Sequence, residues 1–180
     1  MGSDSSNSGS KKSPAAADVN MIVKSGVIAA LYVVLTLLAN AFGLANYSVQ
    51  VRFSEALTVL PCVCSAAIPG VTIGCLLSNI ITGCALPDII FGTLATLIGA
   101  LGTYALRKHR RLSWVPPVVS NMLIIPFILR YAYGLTPLWL FFFTVGAGEV
   151  ISCGILGLLL LKALDRTGVM RLIEDPAPDR

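Results

Sequence analysis

Charge is what this sequence has least of. Lys, Arg, Asp and Glu make up 12% of its 180 residues, against 56% hydrophobic residues, where a soluble domain carries about 25% charged residues. With a mean hydropathy of +0.82 there is too little polar material to cover a water-facing surface, which excludes an ordinary soluble domain. Histidine occurs once, as His109, and no CxxC is present, which excludes the common cysteine–histidine metal modules. The five cysteines, Cys62, Cys64, Cys75, Cys84 and Cys153, are scattered through apolar segments and read as small packing residues. HExxH, clustered aspartates and GxSxG are all missing, so the usual membrane hydrolases and phosphotransferases find no support. GxxxxGK[ST] is missing too, so any ATP-driven step needs other chains. Ten-residue segments of alternating polarity, the mark of a membrane barrel, do not occur.

What is present is a series of long apolar runs. Between polar ends lie about 150 residues, room for roughly six spans of about 20 residues with short connections. Backbone groups in lipid must be satisfied within the segment, so the runs are expected to be helices. The expectation is an all-α, multi-pass cell-membrane protein with six transmembrane helices. Residues 1–20 read as a disordered tail, 21–166 as the transmembrane domain and 167–180 as a short cytoplasmic tail. The spans are expected near 21–44, 55–67, 70–83, 88–106, 116–133 and 138–161, the fifth bent or broken near Pro126. Lys11, Lys12, Lys24, the RKHRR run at 107–111, Lys162, Arg166 and Arg171 all fall on one side of such a bundle, which predicts both termini in the cytoplasm. That charge pattern is a topology signal, not a nucleic-acid footprint.

Polar groups within the spans are the candidates for function, because an ionisable group costs about 2.5–3.5 kcal/mol at a bilayer centre and is kept there for a cavity, a partner or a ligand. Glu149, near the middle of the last span, is the sharpest of them. Arg52 and Glu55 open the second span, and they either pair with each other or meet a ligand. Asp88 either caps the fourth span or contacts a ligand. Asn79 and Asn121 offer both donor and acceptor groups, for a ligand or for a neighbouring helix. Trp139 and Phe142 are large rings near an outer interface, suited to stacking or to a membrane aromatic belt. Gly26 and Ala30, four residues apart on the first span, let another helix approach, either within the bundle or from a partner.

The strings VQVRFSEALTVLP, AAIPGVTIGCLLSNIITGCALPDIIFGTLATLIGALGTYALR, PPVVSNMLI and GAGEVISCGILG together resemble the queuosine-precursor transporter (QueT) family over about residues 22–164. Members of that family are substrate-binding S components of energy-coupling factor transporters. The resemblance implies a six-helix S component that captures a deazaguanine base from outside. It also implies a transmembrane T component and two ATPase subunits as partners, with ATP used by the latter and no cofactor on this chain. In similar proteins the small-residue motif of the first helix meets the T component, which maps to Gly26 and Ala30. A guanine-like edge offers two adjacent N–H donors to one carboxylate. Glu149 is the first choice for that carboxylate and Glu55 the second, with Asn79, Asn121 and Arg52 at the base edge and Trp139 or Phe142 stacking the ring. The alternatives are an S component for another vitamin-like molecule, or a solitary small-molecule carrier.

Overall fold

Proline at the first position of a helix costs no hydrogen bond, and alanine is the strongest helix former. Pro14, Ala15, Ala16 and Ala17 therefore start α1 (Pro14–Ala41) in the computed structural model, which describes residues 14–43 and 51–175. The tail expected through residue 20 is corrected accordingly, since seven of its residues are helical; residues 1–13 lie outside the described part. So do residues 44–50.

The two faces of α1 divide the work. Val27, Leu31, Val34 and Leu38 recur at spacings of four, three and four and are all exposed, an apolar outward stripe suited to lipid. Ile28, Ala29, Tyr32, Thr36 and Ala39 are buried on the opposite stripe. Against that inner stripe lies α2 (Ala67–Ile81). Gly70 and Gly74 bring the two backbones together: a Cβ on Gly74 would stand 2.6 Å from Tyr32 Cβ and 3.0 Å from the Ala29 carbonyl oxygen. Gly26 has nothing within 4 Å of where its Cβ would be. It and Ala30 sit on the exposed side of α1 and take no part in this contact.

At the centre runs a 3-10 helix, Phe53–Cys62, whose residues from Ser54 onward are all buried. The second span expected over 55–67 is thus wound as a 3-10 helix and is shorter than expected. Ten residues at about 2.0 Å rise make a rod of roughly 20 Å, short of the roughly 30 Å hydrocarbon core. Side chains three apart eclipse one another in this winding. Glu55 and Thr58 therefore share one edge, and Ala56, Val59 and Cys62 form another, on which Val59 meets Gly157, whose Cβ would stand 2.7 Å from Val59 Cγ1.

Three further helices complete the bundle, two of them against the rod and the third packed on those two. α3 is Asp88–Ala105, wound as a π-helix over Asp88–Gly92; α4 is Val115–Tyr131, following a short 3-10 turn at Arg110–Leu112; α5 is Leu138–Thr167, wound as a π-helix over Val150–Gly157. α4 continues through Pro126 as one helix, so of the bend or break expected there the break does not occur. Gly99 and Gly102 seat α3 on Pro117 and Pro116 of α4, with would-be Cβ distances of 2.7 and 2.6 Å. One apolar core surrounds the 3-10 rod and α2, with Leu57, Val59, Val71 and Cys75 at its centre. A second lies between α4 and α5 around Ile125, Leu129 and Phe141.

Among the described residues there is no strand, and four helices are long and apolar enough to cross a membrane: Asp18–Ala41, Asp88–Ala105, Arg110–Tyr131 and Leu138–Thr167. Phe53–Cys62 and Ala67–Ile81 are apolar but shorter. The chain is an all-helical membrane protein.

The C-terminal segment is not a loose tail. Gly168, at φ 74°, ends α5 in the left-handed conformation that glycine adopts freely, and α6 (Met170–Ile173) folds back. Met170 is buried in the central core. The Asp175 N–H donates to the Val63 carbonyl (3.0 Å), its carboxylate accepts from the Ser65 N–H (2.6 Å), and Lys24 Nζ donates to the Ile173 carbonyl (3.1 Å). Arg110 pairs with Glu174.

Candidate functional site

Glu55, at the start of the 3-10 rod, and Glu149, at the head of the π-wound stretch of α5, are carried to one place inside the bundle. They are 2% and 7% exposed. Glu55 Oε1 accepts a 2.5 Å hydrogen bond from the Tyr32 hydroxyl. Glu149 Oε1 accepts from Asn121 Nδ2 at 2.9 Å, and Glu149 Oε2 from the Cys153 thiol at 3.2 Å. Thr58 and Cys153 lie 3.4 Å apart behind the pair. Glu55 Oε2 is buried with no hydrogen-bond partner. One donor atom from each of Glu55, Glu149 and Cys153 lies within 4.8 Å of the others, a separation that a single cation or a small multi-donor group bridges. Two carboxylates this close in a low-dielectric interior attract positive charge or N–H donors strongly.

The acid pair borders an inner chamber of about 10 Å³, the size of one water. Arg52, Gly92, Thr96, Asn121 and Ile125 complete most of its wall. Beyond it opens an outer chamber of about 230 Å³ lined by Thr36, Asn40, Asn79, Asp88, Cys84 and Tyr133 among others, with Arg52 and Ile125 bordering both spaces. Arg52, one residue ahead of the rod, is half-buried.

Tyr133 ties the mouth of the outer chamber together. Its hydroxyl donates to Asp88 Oδ2 (3.2 Å) and accepts from the Ala85 N–H (3.1 Å), so the 132–137 turn is fastened to the 82–87 turn. Burial, with Asp88 beside it, pushes the Tyr133 phenol above its ordinary value, and it stays a donor at neutral pH. Asp88 does not cap its own helix; its carboxylate is turned to Tyr133.

Of the residues singled out from sequence, Arg52, Glu55, Asn121 and Glu149 meet at the inner chamber and Asn79 lines the outer one. Asn79 Nδ2 also donates to the Asp88 carbonyl at 3.4 Å. Trp139 and Phe142, expected as stacking platforms, line neither chamber. Ten residues at 100° each put Trp139 about 80° round α5 from Glu149, where it is 63% exposed and packs edge-on against Phe143. Phe142 is turned to α4, its ring edge-to-face with Phe127 at 5.8 Å. Arg130 is exposed beside the Leu135 carbonyl, and His109 lies in the exposed basic turn.

Sequence reasoning missed Tyr32, Thr58 and Cys153 as partners of the acid pair, and Tyr133 at the mouth. A signal existed for Tyr32: a tyrosine in mid-span must find a partner for its hydroxyl if it is buried. Gly26 and Ala30 fall on an exposed face, and Gly26 borders an apolar groove with Met21, Ile22, Ala29, Pro69 and Ile73.

A membrane helical bundle with an acid pair enclosed behind a polar chamber is built to hold a small polar molecule. The model of the QueT transporter family matches residues 22–166, and the chain belongs to that family. No curated protein and no solved structure matched it.

Proposed function

We propose that the chain is the substrate-binding S component of an energy-coupling factor transporter and captures a queuosine precursor, a deazaguanine base, from outside the cell. The observation that carries this reading is the acid pair, Glu55 and Glu149, with Asn121 fixing the second carboxylate and an unpartnered carboxylate oxygen on the first. A guanine-like edge brings two parallel N–H donors, which suit one carboxylate, and Asn79 and Arg52 offer further polar contacts to the ring. In this reading the chain crosses the membrane six times, the rod with the residues flanking it and α2 being the two short crossings, with both ends in the cytoplasm and the outer chamber facing the exterior. The basic turn at 107–111, Lys24, Lys162 and Arg166 then lie on the cytoplasmic side. The exposed face at Gly26 and Ala30, beside its apolar groove, receives the T component, and two ATPase subunits supply the energy.

Titration of the purified chain with the aminomethyl-deazaguanine base, followed by calorimetry with thiamin and riboflavin as controls, tests the reading. Selective binding by this chain alone is expected. Glu149→Gln replaces a charged acceptor, and hydrogen bonds to charged groups are worth about 1.5–3 kcal/mol, so a loss of roughly 10- to 150-fold is expected. Absence of binding to every deazaguanine in a folded sample rejects the cargo; full affinity in Glu149→Gln removes Glu149 from the site.

A further inference from the structure

The tight helix glycines of this fold press on a neighbouring element. A Cβ added at Gly70, Gly74, Gly99, Gly102 or Gly157 would stand 2.6 to 2.9 Å from an atom of α1, α4 or the 3-10 rod. Gly92 is different. Its Cβ would meet no backbone; the nearest atoms are the polar ends of Asp88 (Oδ1, 3.2 Å) and Asn79 (Nδ2, 3.4 Å), followed by Ile125 Cδ1 at 4.0 Å. Asp88, Asn79 and Ile125 line the outer chamber, whereas Gly92 itself lines the inner one. The partition between the two spaces is thus built from Arg52 and Ile125, which border both, and a residue with no side chain. Beyond that partition waits the partnerless Glu55 Oε2.

We propose that Gly92 is a specificity-determining residue: the missing side chain is the clearance through which the donor-rich end of a ligand seated in the outer chamber reaches the acid pair. The inference rests on the reading of this site as the ligand pocket. Ile125 meets this place with the end of a flexible side chain, which yields by rotamer change, and a Cβ at position 92 does not. The group admitted is narrow and carries at least two N–H donors, an amine or an amidine-like edge, because the acceptors behind the partition are carboxylate oxygens. Ring substituents wider than such a group stay in the outer chamber. The fold itself tolerates alanine here, since side-chain ends at 3.2 and 3.4 Å yield by a few tenths of an ångström.

The test has two arms, one independent of any ligand. In the full chain carrying Val145→Cys, the introduced thiol reports from the inner chamber, while native Cys84 reports from the outer one. Hydrogen peroxide, close to water in size, is added, and oxidative labelling of the two thiols is followed by peptide mass spectrometry. One added carbon in a close-fitting pocket changes discrimination by roughly 10- to 200-fold. Adding Gly92→Ala is therefore expected to slow labelling at position 145 at least about tenfold, with Cys84 unchanged. Equal rates at position 145 with and without Gly92→Ala overturn the proposal, whatever the natural ligand is. In the second arm, Gly92→Ala is titrated with the aminomethyl-deazaguanine base, and a similar loss of affinity at an unchanged thermal midpoint is expected. Undiminished affinity there also overturns it. Failure of the unsubstituted chain to bind any deazaguanine rejects the cargo reading instead, and the labelling rates then decide the clearance. Should the alanine variant fail to fold, Ile125→Val, which widens the same partition, repeats both arms; faster labelling at position 145 is then expected, and an unchanged rate overturns the proposal.

Discussion

Tyr32→Phe removes one oxygen atom from the middle of the protein and nothing else. The ring is 1% exposed and packed against α2, so phenylalanine fills the same volume and opens no cavity. What disappears is the 2.5 Å hydrogen bond to Glu55 Oε1. The other oxygen of that carboxyl already lacks a hydrogen-bond partner, so the variant takes away the short bond that holds Oε1. A hydrogen bond to a charged group contributes about 1.5–3 kcal/mol, the loss expected here. At about 2–4 °C per kcal/mol for a chain of this size, the thermal midpoint falls by roughly 3–12 °C. The assay is thermal unfolding in detergent or nanodiscs, followed by the fluorescence of Trp114 and Trp139. A cycle with Glu55→Gln isolates the pair, whose coupling should be about 0.5–3 kcal/mol. A midpoint moved by less than about 1 °C, together with additive single variants, would show that the bond carries no stability and that other contacts hold Glu55 in place.

Gly74→Ala would put a Cβ 2.6 Å from Tyr32 Cβ and force α1 and α2 apart; overpacking of this kind costs about 1–3 kcal/mol, read as a lower thermal midpoint. Gly26→Ala, with open space around the would-be Cβ, is the matched control and should leave stability within about 0.5 kcal/mol. Asp175→Ala removes the carboxylate that accepts from the Ser65 N–H. A loss of about 0.5–2 kcal/mol is expected, with faster amide hydrogen exchange at Ser65 as the local readout.

Much of this molecule was legible because hydrocarbon and water sort residues by simple rules. The long helices followed from unbroken apolar runs, and Glu149, Glu55, Asn121 and Arg52 stood out because polar groups are expensive inside such runs. Winding was not legible. The stretch from Phe53 to Cys62 has the composition of a membrane helix, yet burial on every side and Pro61 within it go with a narrow 3-10 rod. The π-wound stretch from Val150 to Gly157 shifts the helical phase past Glu149, so a wheel drawn at 100° per residue goes out of register along it, although Cys153, four residues on, stays beside that carboxylate in either winding. The two rings went astray for another reason. Trp139 and Phe142 have the right chemistry for stacking a base, but their direction depends on α4, whose Phe127 claims Phe142. Tyr32 hid in plain view, one hydroxyl in a run of aliphatic residues.

The docked C-terminal segment changes where this protein ends for practical purposes. The family likeness stops at residue 166, and a truncation designed on that boundary would discard Met170 and Asp175. It would unplug a hole in the central core and strip the Val63 carbonyl and the Ser65 amide of their partners, directly below the rod that presents Glu55. A minimal version of the chain should be cut no earlier than residue 175.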